Sequence, residues 1–461
     1  MPRQSLKQTF AVSAWVALRE GEFERAEHLC RAFLRLDRER IEKILLSSKE
    51  YLSNNSCFVR DGRYLPKDYL ITAIISTYKG ERFMEGRLTD LLGQSIADRL
   101  EILVIDSASP EHEGEVVASF QQRHTNIRYL RTGRRESIYQ AWNRGVQVAR
   151  GTYLTNANTD DRLRRDALER LVARLEQEYG AGVAYADALI TSKENETFLD
   201  NSSVQATRRP DFSINRLLES CITGSQPVWR KALHDSAGLF DIGYGSAADY
   251  DFFIRAAQYC GFVYIPEPLG LVWTASETYS GKGLLPLLEF YEIRERYRHL
   301  LDPTGRGDSS LTGHEDIWEA LRQNFSGLGN STSAEYTGDE PLLNYQIGRL
   351  YEQAGDNGNA WRYLQRAAYL LPEQQQYRDA LKRSLITNLK DTIRTKAQDE
   401  IDLVSIDLLQ AMAVASRMLG YQHAAAWLYA QTLEREPENV VSLINLERAL
   451  ATVAVSEGEP R

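Results

Sequence analysis

The chain has 461 residues, a length that favours two or three domains over a single core. Its formal net charge of −9 argues against nucleic-acid binding, because proteins that bind nucleic acids usually carry a basic face. No apolar run reaches the roughly 18–20 residues that span a bilayer, and the first residues lack the apolar core of a signal peptide.

The four cysteines lie far apart, without a CxxC pair, at Cys30, Cys57, Cys221 and Cys260. This spacing argues against a zinc site and against a disulfide framework. It suits a reducing compartment, so we expect a cytoplasmic protein. The seven histidines are equally scattered and are expected to be isolated surface or core residues.

The N-terminal segment, roughly residues 7–55, has the spacing of amphipathic helices. Apolar residues recur three and four positions apart from Ala11 to Asp37, and Gly21 interrupts the pattern. This arrangement predicts two helices joined at the glycine, within a helical segment that we bound at residues 1–65.

The middle segment, residues 66–300, alternates strand-like and helix-like patterns. Its short apolar, β-branched runs are residues 70–77, 101–106, 127–130 and 151–155. Helical spacing separates them near residues 84–97, 112–124 and 138–149. Strands that are apolar on both faces and joined by helices predict βαβ units. We therefore expect a mostly parallel, Rossmann-like α/β sheet with helices on both faces.

The third segment is helical after a linker at residues 301–340, which is rich in glycine, serine, threonine and aspartate. Within the helical domain, residues 341–461, two stretches at 344–372 and 409–437 resemble the tetratricopeptide (TPR) repeat. Each has small residues where two antiparallel helices approach and a proline at its end. Residues 375–398 between them are interpreted as a degenerate helix pair.

The N-terminal segment is TPR-like to a lesser degree, since it keeps little besides Gly21 and Ala26 at offsets that match the C-terminal repeats. Repeat units cannot bury their apolar face alone. We therefore expect each helical set to pack against the middle domain or against a protein partner.

Polar residues follow three of the predicted strands at the point where each strand ends. They are Thr77 and Tyr78, then Asp106 and Ser107, and finally Asn158 and Asp160. In an open α/β sheet, ligands bind at the carboxyl ends of the strands. These side chains are therefore expected to gather around a base, a ribose and a metal-bound diphosphate.

Asp160 is the best candidate for a metal ligand, with Asn158 binding beside it or through water. A diphosphate leaving group gains charge as its bond to the sugar breaks. Mg²⁺ or Mn²⁺, held by a few side-chain oxygens, would neutralise that charge. The alternative is a solvated turn in which Asp160 or Asp161 caps a helix at residues 163–178.

Two arginines precede the helix that follows the third strand. Arg134 and Arg135 would pair with phosphate oxygens, and the alternative is a pair of surface arginines in a loop. Asn143, on the helix itself, is a further candidate for nucleotide binding. Its alternative role is close packing beside the site, together with Gly145.

Asp249 is the candidate general base. It would take the proton from an acceptor hydroxyl as that oxygen attacks the anomeric carbon, and such a direct displacement inverts the anomeric centre. Asp251 is the alternative base and a candidate contact for the donor or acceptor sugar. A helix N-cap is the structural alternative for Asp249.

Taken in order, these motifs resemble glycosyltransferase family 2, whose members are inverting, metal-dependent enzymes with a GT-A fold. The resemblance rests on residues 75–78, 105–109, 137–145, 158–161, 224–231 and 248–251. Each motif is weak alone, but all of them in order form a specific signal.

The resemblance also implies roles for individual residues. Thr77, Tyr78 and Asp106 would hold the nucleotide base and ribose. Asp160 would hold the metal, and Asp249 would be the base. The segment containing Gly224, Ser225 and Gln226 would lie near the donor sugar.

The chain departs from the family pattern at four places. Asn158 stands where the family has the first aspartate of its metal motif, and Ala248 stands where a glutamate usually precedes the catalytic aspartate. Ser107 replaces the second acid of the nucleotide motif. A histidine that many relatives carry after the catalytic helix is absent around residues 271–274.

The expected function is transfer of a sugar from a nucleotide-diphosphate donor to a hydroxyl acceptor. A UDP-sugar is the first choice of donor, with GDP and dTDP open, and the acceptor is a glycan, a lipid-linked sugar or a protein. Two alternatives remain. One is a degenerate scaffold that binds protein partners, and the other is a nucleotidyltransferase, for which only Lys79-Gly80 resembles a phosphate loop.

The helical segments suggest a protein partner or an acceptor presented to the catalytic domain, with packing support as the alternative. The amphipathic helix near residues 284–301 could contact the inner face of an anionic membrane. Packing against a neighbouring domain is the interpretation we prefer.

Overall fold

The structure is a computed structural model that describes residues 3–53, 57–203, 205–274, 284–300, 341–371, 374–396 and 404–457. The expected linker at residues 301–340 therefore lies outside the described residues.

The chain divides into two compact units. The first, here called the α/β unit, comprises Leu46–Phe290 and Pro437–Ile444. The second, here called the helical unit, comprises Met1–Leu45, Tyr291–Glu436 and Asn445–Arg461.

The helices of the first two thirds of the chain are α1 (Arg3–Arg19), α2 (Phe23–Leu36), α3 (Arg38–Ser53), α4 (Glu81–Leu92), α5 (Glu113–Gln121), α6 (Ile138–Val148), α7 (Ala167–Gln177), α8 (Ile214–Glu219), α9 (Leu233–Ala237), α10 (Ala248–Ala256) and α11 (Leu284–Arg296). The C-terminal helices are α12 (Pro341–Gln353), α13 (Asn357–Leu370), α14 (Gln375–Lys396), α15 (Ile406–Met418), α16 (Gln422–Arg435) and α17 (Val440–Glu457).

One sheet of ten strands organises the described part of the α/β unit. The strands are β1 (Cys57–Arg60), β2 (Ile71–Thr77), β3 (Leu100–Asp106), β4 (Ile127–Thr132), β5 (Tyr153–Asn156), β6 (Arg162–Leu163), β7 (Ala181–Thr191), β8 (Gln205–Thr207), β9 (Val228–Arg230) and β10 (Gly261–Trp273). Their order is β1-β4-β3-β2-β5-β9-β7-β10-β6, with β8 paired to β7.

The four strands predicted from the sequence form the parallel centre of this sheet, in the order β4-β3-β2-β5. β7 and β10 add a second parallel pair, whereas the shorter strands around them pair antiparallel. The expected α/β sheet is confirmed, and its carboxyl edge collects the ends of β2, β3 and β5.

Helices cover both faces of the sheet, as expected. Alternate residues of β2 point to opposite faces. Ile75 belongs to the apolar cluster that includes residues of α4, α5 and α7. Ile74 faces α6, where a Cβ on Gly145 would lie 2.5 Å from the Ile74 side chain. Glycine at position 145 therefore lets α6 lie close to the sheet, as the packing interpretation predicted.

Three sequence predictions were wrong in detail. Residues 57–60, assigned to the helical N-terminal segment, form the edge strand β1 paired with β4. The expected helix pair at 375–398 is one helix, α14. The helix expected at 163–178 begins at Ala167, because residues 162–163 pair with β10.

The helical unit is built on hairpins with one shared turn. A glycine with positive φ stands two residues after the end of the first helix in each: Gly21 (φ 70°), Gly355 (φ 77°) and Gly420 (φ 88°). The residue after each glycine donates its backbone N–H to a carbonyl five positions earlier, at 2.8–3.0 Å. This is the Schellman ending of a helix, in which glycine avoids the strain of a left-handed conformation.

The N-terminal hairpin packs against the C-terminal helix α16 within the helical unit. Phe23 stacks on Tyr421 at 6.2 Å, and Phe33 meets the edge of Trp427 at 6.4 Å. Segments from the two ends of the chain therefore form one helical unit, which the sequence had presented as two separate sets.

Helix α11 contains buried apolar residues. Leu288 and Ile293 are fully buried, and Phe290 stacks on Tyr250 at 4.7 Å. None of the helices in the described ranges combines the length and apolarity that crossing a bilayer requires.

Candidate active site

The end of β2 provides a half-buried aromatic surface. The Tyr78 ring lies 4.3 Å from the guanidinium carbon of Arg135 and 5.6 Å from Nζ of Lys79. Thr77 is buried, and its hydroxyl donates to Glu113 Oε1 at 3.1 Å, which ties the strand end to α5. Arg135 thus lies against the Tyr78 ring, and a planar group at this edge would have to stack on the outer side of this pair.

Asp106, at the end of β3, is buried, and both of its carboxylate oxygens accept hydrogen bonds from other residues of the protein. One carboxylate oxygen accepts from the backbone N–H of Ser109 at 2.8 Å. The other accepts from the Tyr129 hydroxyl and from Arg131 Nη1, the latter at 2.6 Å. Asp106 therefore holds Arg131 and the loop at Ser109 in place. Because its exposed fraction is 0%, it presents no open oxygen to a ribose in this arrangement.

Ser107 has a similar internal role. Its hydroxyl donates to the carbonyl of Glu136 at 2.8 Å and accepts from the backbone N–H of the same residue at 2.5 Å. The Glu136 carboxylate in turn holds Arg144 through two nitrogens. These bonds fix the loop that carries the half-buried Arg134 and the exposed Arg135.

Asn143 does not point to a nucleotide. Its Nδ2 donates to the carbonyl of Phe240 at 2.9 Å, and its Oδ1 accepts the backbone N–H of the same residue at 2.9 Å. With its amide used at both ends, Asn143 fastens the loop before α10 to α6. These bonds favour the packing alternative for Asn143, and nucleotide binding by this residue stays an untested prediction.

Asn158, Asp160 and Asp161 follow β5 and form an acidic loop. Asn158 Nδ2 donates to Asp161 Oδ2 at 3.1 Å, which leaves the Asn158 carbonyl oxygen as its other polar atom. Burial raises the pKa of Asp160. Burial and the charge of Asp160 raise the pKa of Asp161 to about 7. Neither aspartate caps α7, whose N-cap position is Asp166.

Two buried arginines that sequence reasoning missed support this loop. Arg87 bonds Asp90 at 2.9 Å and the carbonyl of Asp161 at 3.1 Å. Arg162 donates to the carbonyls of Thr159 and Asp161 at 2.8 and 2.7 Å. An arginine inside an otherwise apolar helix pattern, as at Arg87, is the one sequence signal that could have indicated such a role.

The acidic loop fits a divalent cation bound together with a diphosphate. Two adjacent, desolvated carboxyls repel each other, and an added positive charge would relieve that repulsion. No cluster of three or more His, Cys, Asp or Glu ligands occurs in the part of the chain that the structure describes. The protein itself would therefore offer Asp160 and Asn158, with phosphate and water supplying the other oxygens.

The predicted sugar-binding segment is a tight loop with mixed roles. Gly224 has φ +73°, and the Ser225 carbonyl accepts from Asn156 at 2.9 Å. Gln226 is buried, accepts from Arg87 Nη2 at 2.5 Å and donates to the Arg162 carbonyl at 3.3 Å. Gln226 thus joins this loop to the acidic loop, which leaves Gly224 and Ser225 as the candidates for sugar contact.

Asp249 has the environment of a general base. It lies in the first turn of α10 and is half-buried, and burial raises the pKa of its carboxyl. The Tyr139 hydroxyl, on α6, donates to Asp249 Oδ1 at 3.1 Å. The helix N-cap position is Ala247, so the capping alternative does not apply.

Asp251, the alternative base, is held in a buried ion pair. Its carboxylate lies 2.8 Å from Arg255, and only 1% of its side chain is exposed. Arg255 also donates to the backbone carbonyls of Ala237 and Leu239. Asp251 therefore anchors α10 to the loop that contains Ala237 and Leu239, and its contact with a sugar stays a prediction.

Glu289 is a further residue that the sequence did not reveal. It is buried, and its carboxylate accepts the backbone N–H groups of Gly245 and Ser246 at 2.6 and 2.8 Å. These two residues immediately precede α10. Glu289 thereby fixes the approach to the helix turn that carries Asp249.

A short loop, residues 221–226, connects the acidic loop with Asp249. At one end, Gln226 bonds Arg87 and Arg162 beneath Asp161. At the other, burial and the nearby charge of Asp249 raise the pKa of Cys221 to about 12. Cys221, at one end of the loop, is thus close enough to Asp249 to be affected by its charge, and Gln226, at the other end, contacts the two arginines that support the acidic loop.

Residues 72–236 match the family model described as Glycosyl transferase family 2. The match contains nearly all of the central parallel strands β2 to β5, the acidic loop and the 221–226 loop, and it covers less than half of the chain. This part of the chain is similar to glycosyltransferases of that family.

Curated relatives extend the same similarity. An uncharacterized glycosyltransferase EpsJ from Bacillus subtilis is 30% identical over 108 residues, which are 23% of this chain and 31% of EpsJ. The glycosyltransferase GlyG from Streptococcus pneumoniae is 24% identical over 148 residues, 32% of this chain and 47% of GlyG. The chain therefore spans less than half the length of these two relatives.

Among solved structures, S. aureus TarS 1-349 in complex with UDP-GlcNAc aligns with a TM-score of 0.41 and 13% sequence identity. That alignment covers 85% of this chain and 92% of the TarS chain.

Proposed function

We propose that this chain transfers a glycosyl group from a nucleotide-diphosphate sugar to a hydroxyl acceptor, with inversion and with help from a divalent metal ion. A UDP-sugar is the preferred donor. Surface polysaccharide or another glycoconjugate, including glycosylated protein, is the proposed product.

The observation that carries this proposal is the pairing of two chemical groups across one loop. An acidic loop suited to a metal-bound diphosphate lies at one end of residues 221–226, and a half-buried carboxyl without an ion-pair partner among the described residues lies at the other. Glycosyl transfer needs both: one to stabilise the leaving group and one to activate the acceptor.

In the proposed reaction, Asp249 accepts the proton of the acceptor hydroxyl as that oxygen bonds to the anomeric carbon. The bond from the anomeric carbon to the diphosphate breaks at the same time. Tyr139 donates to Oδ1 of Asp249 and so holds the carboxylate in place. Tyr78 and Arg135 would stack against the nucleotide base, and Arg134 would approach the phosphates.

Asp160 and Asn158 would hold Mg²⁺ or Mn²⁺, which would neutralise charge on the departing diphosphate. Arg87 and Arg162 keep the backbone of this loop in place from below. Asp106 and Ser107 are proposed to act indirectly on the nucleotide, by holding Arg131 and the Glu136 backbone in place at the end of β3.

We also propose that the helical hairpins are TPR-like and present an acceptor or a protein partner. The identical glycine turns and the fully buried Ala26, Ala360 and Ala425, each five residues after its glycine, support this assignment. Removal of residues 341–461 should reduce acceptor use if the assignment is right.

The decisive experiment is calorimetric titration of UDP, GDP and dTDP into the full chain, with and without Mn²⁺. We expect one nucleotide to bind in a metal-dependent way. Asp160→Ala should weaken that binding by about 10- to 100-fold, since it removes the main protein ligand.

Asp200→Ala is the matched control, because Asp200 is exposed and distant in sequence from the acidic loop. It should bind the nucleotide like the wild type. A folded wild-type protein that binds none of the three nucleotides would overturn the proposal and favour the scaffold alternative.

A further inference from the structure

Arg209 is a residue whose guanidinium makes few hydrogen bonds within the described part of the chain. It follows β8, and its backbone N–H donates to Asp187 Oδ1 at 2.7 Å. Asp187 also accepts from the Tyr264 hydroxyl at 2.7 Å. The main chain of Arg209 is therefore anchored without any help from its guanidinium.

The guanidinium of Arg209 has few protein partners. Its Nε is buried and makes no hydrogen bond, and Nη1 makes one long bond of 3.5 Å to the Cys221 carbonyl. Within the described ranges, no carboxylate lies within ion-pair distance of it, including those of Asp187 and Asp211. An arginine has five N–H donors, and within the described residues those of the two Nη atoms are engaged only by the long bond to the Cys221 carbonyl.

The guanidinium of Arg209 lies beside Cys221 and Gly224, at the end of the 221–226 loop opposite Gln226. A Cβ on Gly224 would lie 3.6 Å from both Nε and Nη2 of Arg209. Cys221 is within reach of two opposite charges, because Asp249 raises its pKa and Arg209 lowers it. The donor diphosphate would occupy the other end, beside Asp160 and Gln226.

We propose that Arg209 binds an anionic group of the acceptor, a phosphate or a carboxylate, and so places the acceptor hydroxyl near Asp249. This inference rests on the proposed function. It adds a substrate class: the acceptor carries negative charge close to the hydroxyl that receives the sugar. Arginine suits this role because its planar fork pairs with two anion oxygens at once.

The test is titration of glycerol 3-phosphate, a small phosphomonoester, into the full chain, with glycerol as the neutral probe. Each is titrated with and without UDP and Mn²⁺. We expect the wild type to bind glycerol 3-phosphate in preference to glycerol. R209Q should weaken that binding about tenfold, which corresponds to the loss of a charge-assisted hydrogen bond.

R208Q is the matched control, because Arg208 is the exposed neighbour of Arg209 and its substitution removes the same charge. It should change the affinity by no more than about twofold. R209K, which keeps the charge, should keep part of the affinity for glycerol 3-phosphate. It replaces R209Q in the test if R209Q does not fold. UDP binding should be unchanged in all three variants.

Three results would overturn the inference: equal binding of glycerol and glycerol 3-phosphate by the wild type, equal weakening in R208Q and R209Q, or loss of UDP binding in R209Q. The last would assign Arg209 to the donor. If the wild type fails to bind UDP but binds the phosphomonoester through Arg209, the proposed function fails while the anion site stands.

Discussion

At the scale of single residues, the site is distinguished by which polar groups are occupied within the protein. Asp106, Asn143, Gln226 and Asp251 all have the residue type expected of ligand-binding groups, yet each is paired internally. Asp249 is different, because its side-chain partner within the described ranges is the neutral hydroxyl of Tyr139. A carboxyl left without a cation keeps its basicity.

The pH dependence of activity should therefore report on Asp249. Burial raises the pKa of its carboxyl, and the hydrogen bond from Tyr139 lowers it. A base works when deprotonated, so activity should be full above this pKa and should fall as the pH drops through it. In Tyr139→Phe the acidic limb of the rate profile should move to higher pH.

Asp249→Asn is the reference for this series and should lower kcat by about 10²- to 10⁴-fold at every pH. Tyr139→Phe should leave UDP binding intact, which separates positioning from folding. An acidic limb that stays in place in Tyr139→Phe would show that Tyr139 does not tune the base.

At the scale of elements, the hairpin turns of the helical unit depend on glycine. Gly355 has φ +77°, a conformation in which other residues are strained. Gly355→Ala should destabilise the protein by about 1–2 kcal/mol, which can be measured by chemical denaturation followed by circular dichroism.

Gly358→Ala is a control in the same hairpin. Gly358 lies in the first turn of α13 without positive φ, and its added Cβ would make only an ordinary 3.7 Å contact with Asp356. This substitution should be neutral or should stabilise the helix by up to about 1 kcal/mol. Equal destabilisation by both substitutions would contradict the assigned turn geometry.

At the scale of the whole molecule, Glu27 joins the two ends of the chain within the helical unit. Its carboxylate accepts the backbone N–H groups of His423 and Ala424, at 3.2 and 2.8 Å, and contacts the His423 ring at 2.7 Å. It thus caps α16 from 396 residues away. Burial alone would raise the pKa of Glu27, but these hydrogen bonds outweigh burial and lower it.

Glu27→Gln should therefore destabilise the chain by about 1 kcal/mol near neutral pH. A lowered pKa means that the carboxylate stabilises the fold above its ordinary value of 4.5, and that this stabilisation is lost as the pH falls through the folded value. The difference in melting temperature between Glu27→Gln and the wild type should thus shrink in acid.

Glu24→Gln, an exposed position on the same helix, is the matched control and should have little effect at any pH. A Glu27→Gln protein as stable as the wild type at neutral pH would mean that the N-terminal hairpin is held by its apolar contacts alone.

The sequence by itself determined the features that depend on neighbours along the chain. The strands β2 to β5 followed from short apolar, β-branched runs, and the break between two helices at Gly21 followed from the interrupted apolar spacing. The order of polar residues after the strands also located the acidic loop, because parallel strands bring their carboxyl ends to one edge.

Only the tertiary structure decided which of those polar groups remain open to a ligand. Arg87 and Gln226 meet across 139 residues, and Asn143 meets Phe240 across 97. The hairpin at the N-terminus joins α16 almost 400 residues later. Such contacts depend on the tertiary path of the chain, which residue type and local spacing do not determine.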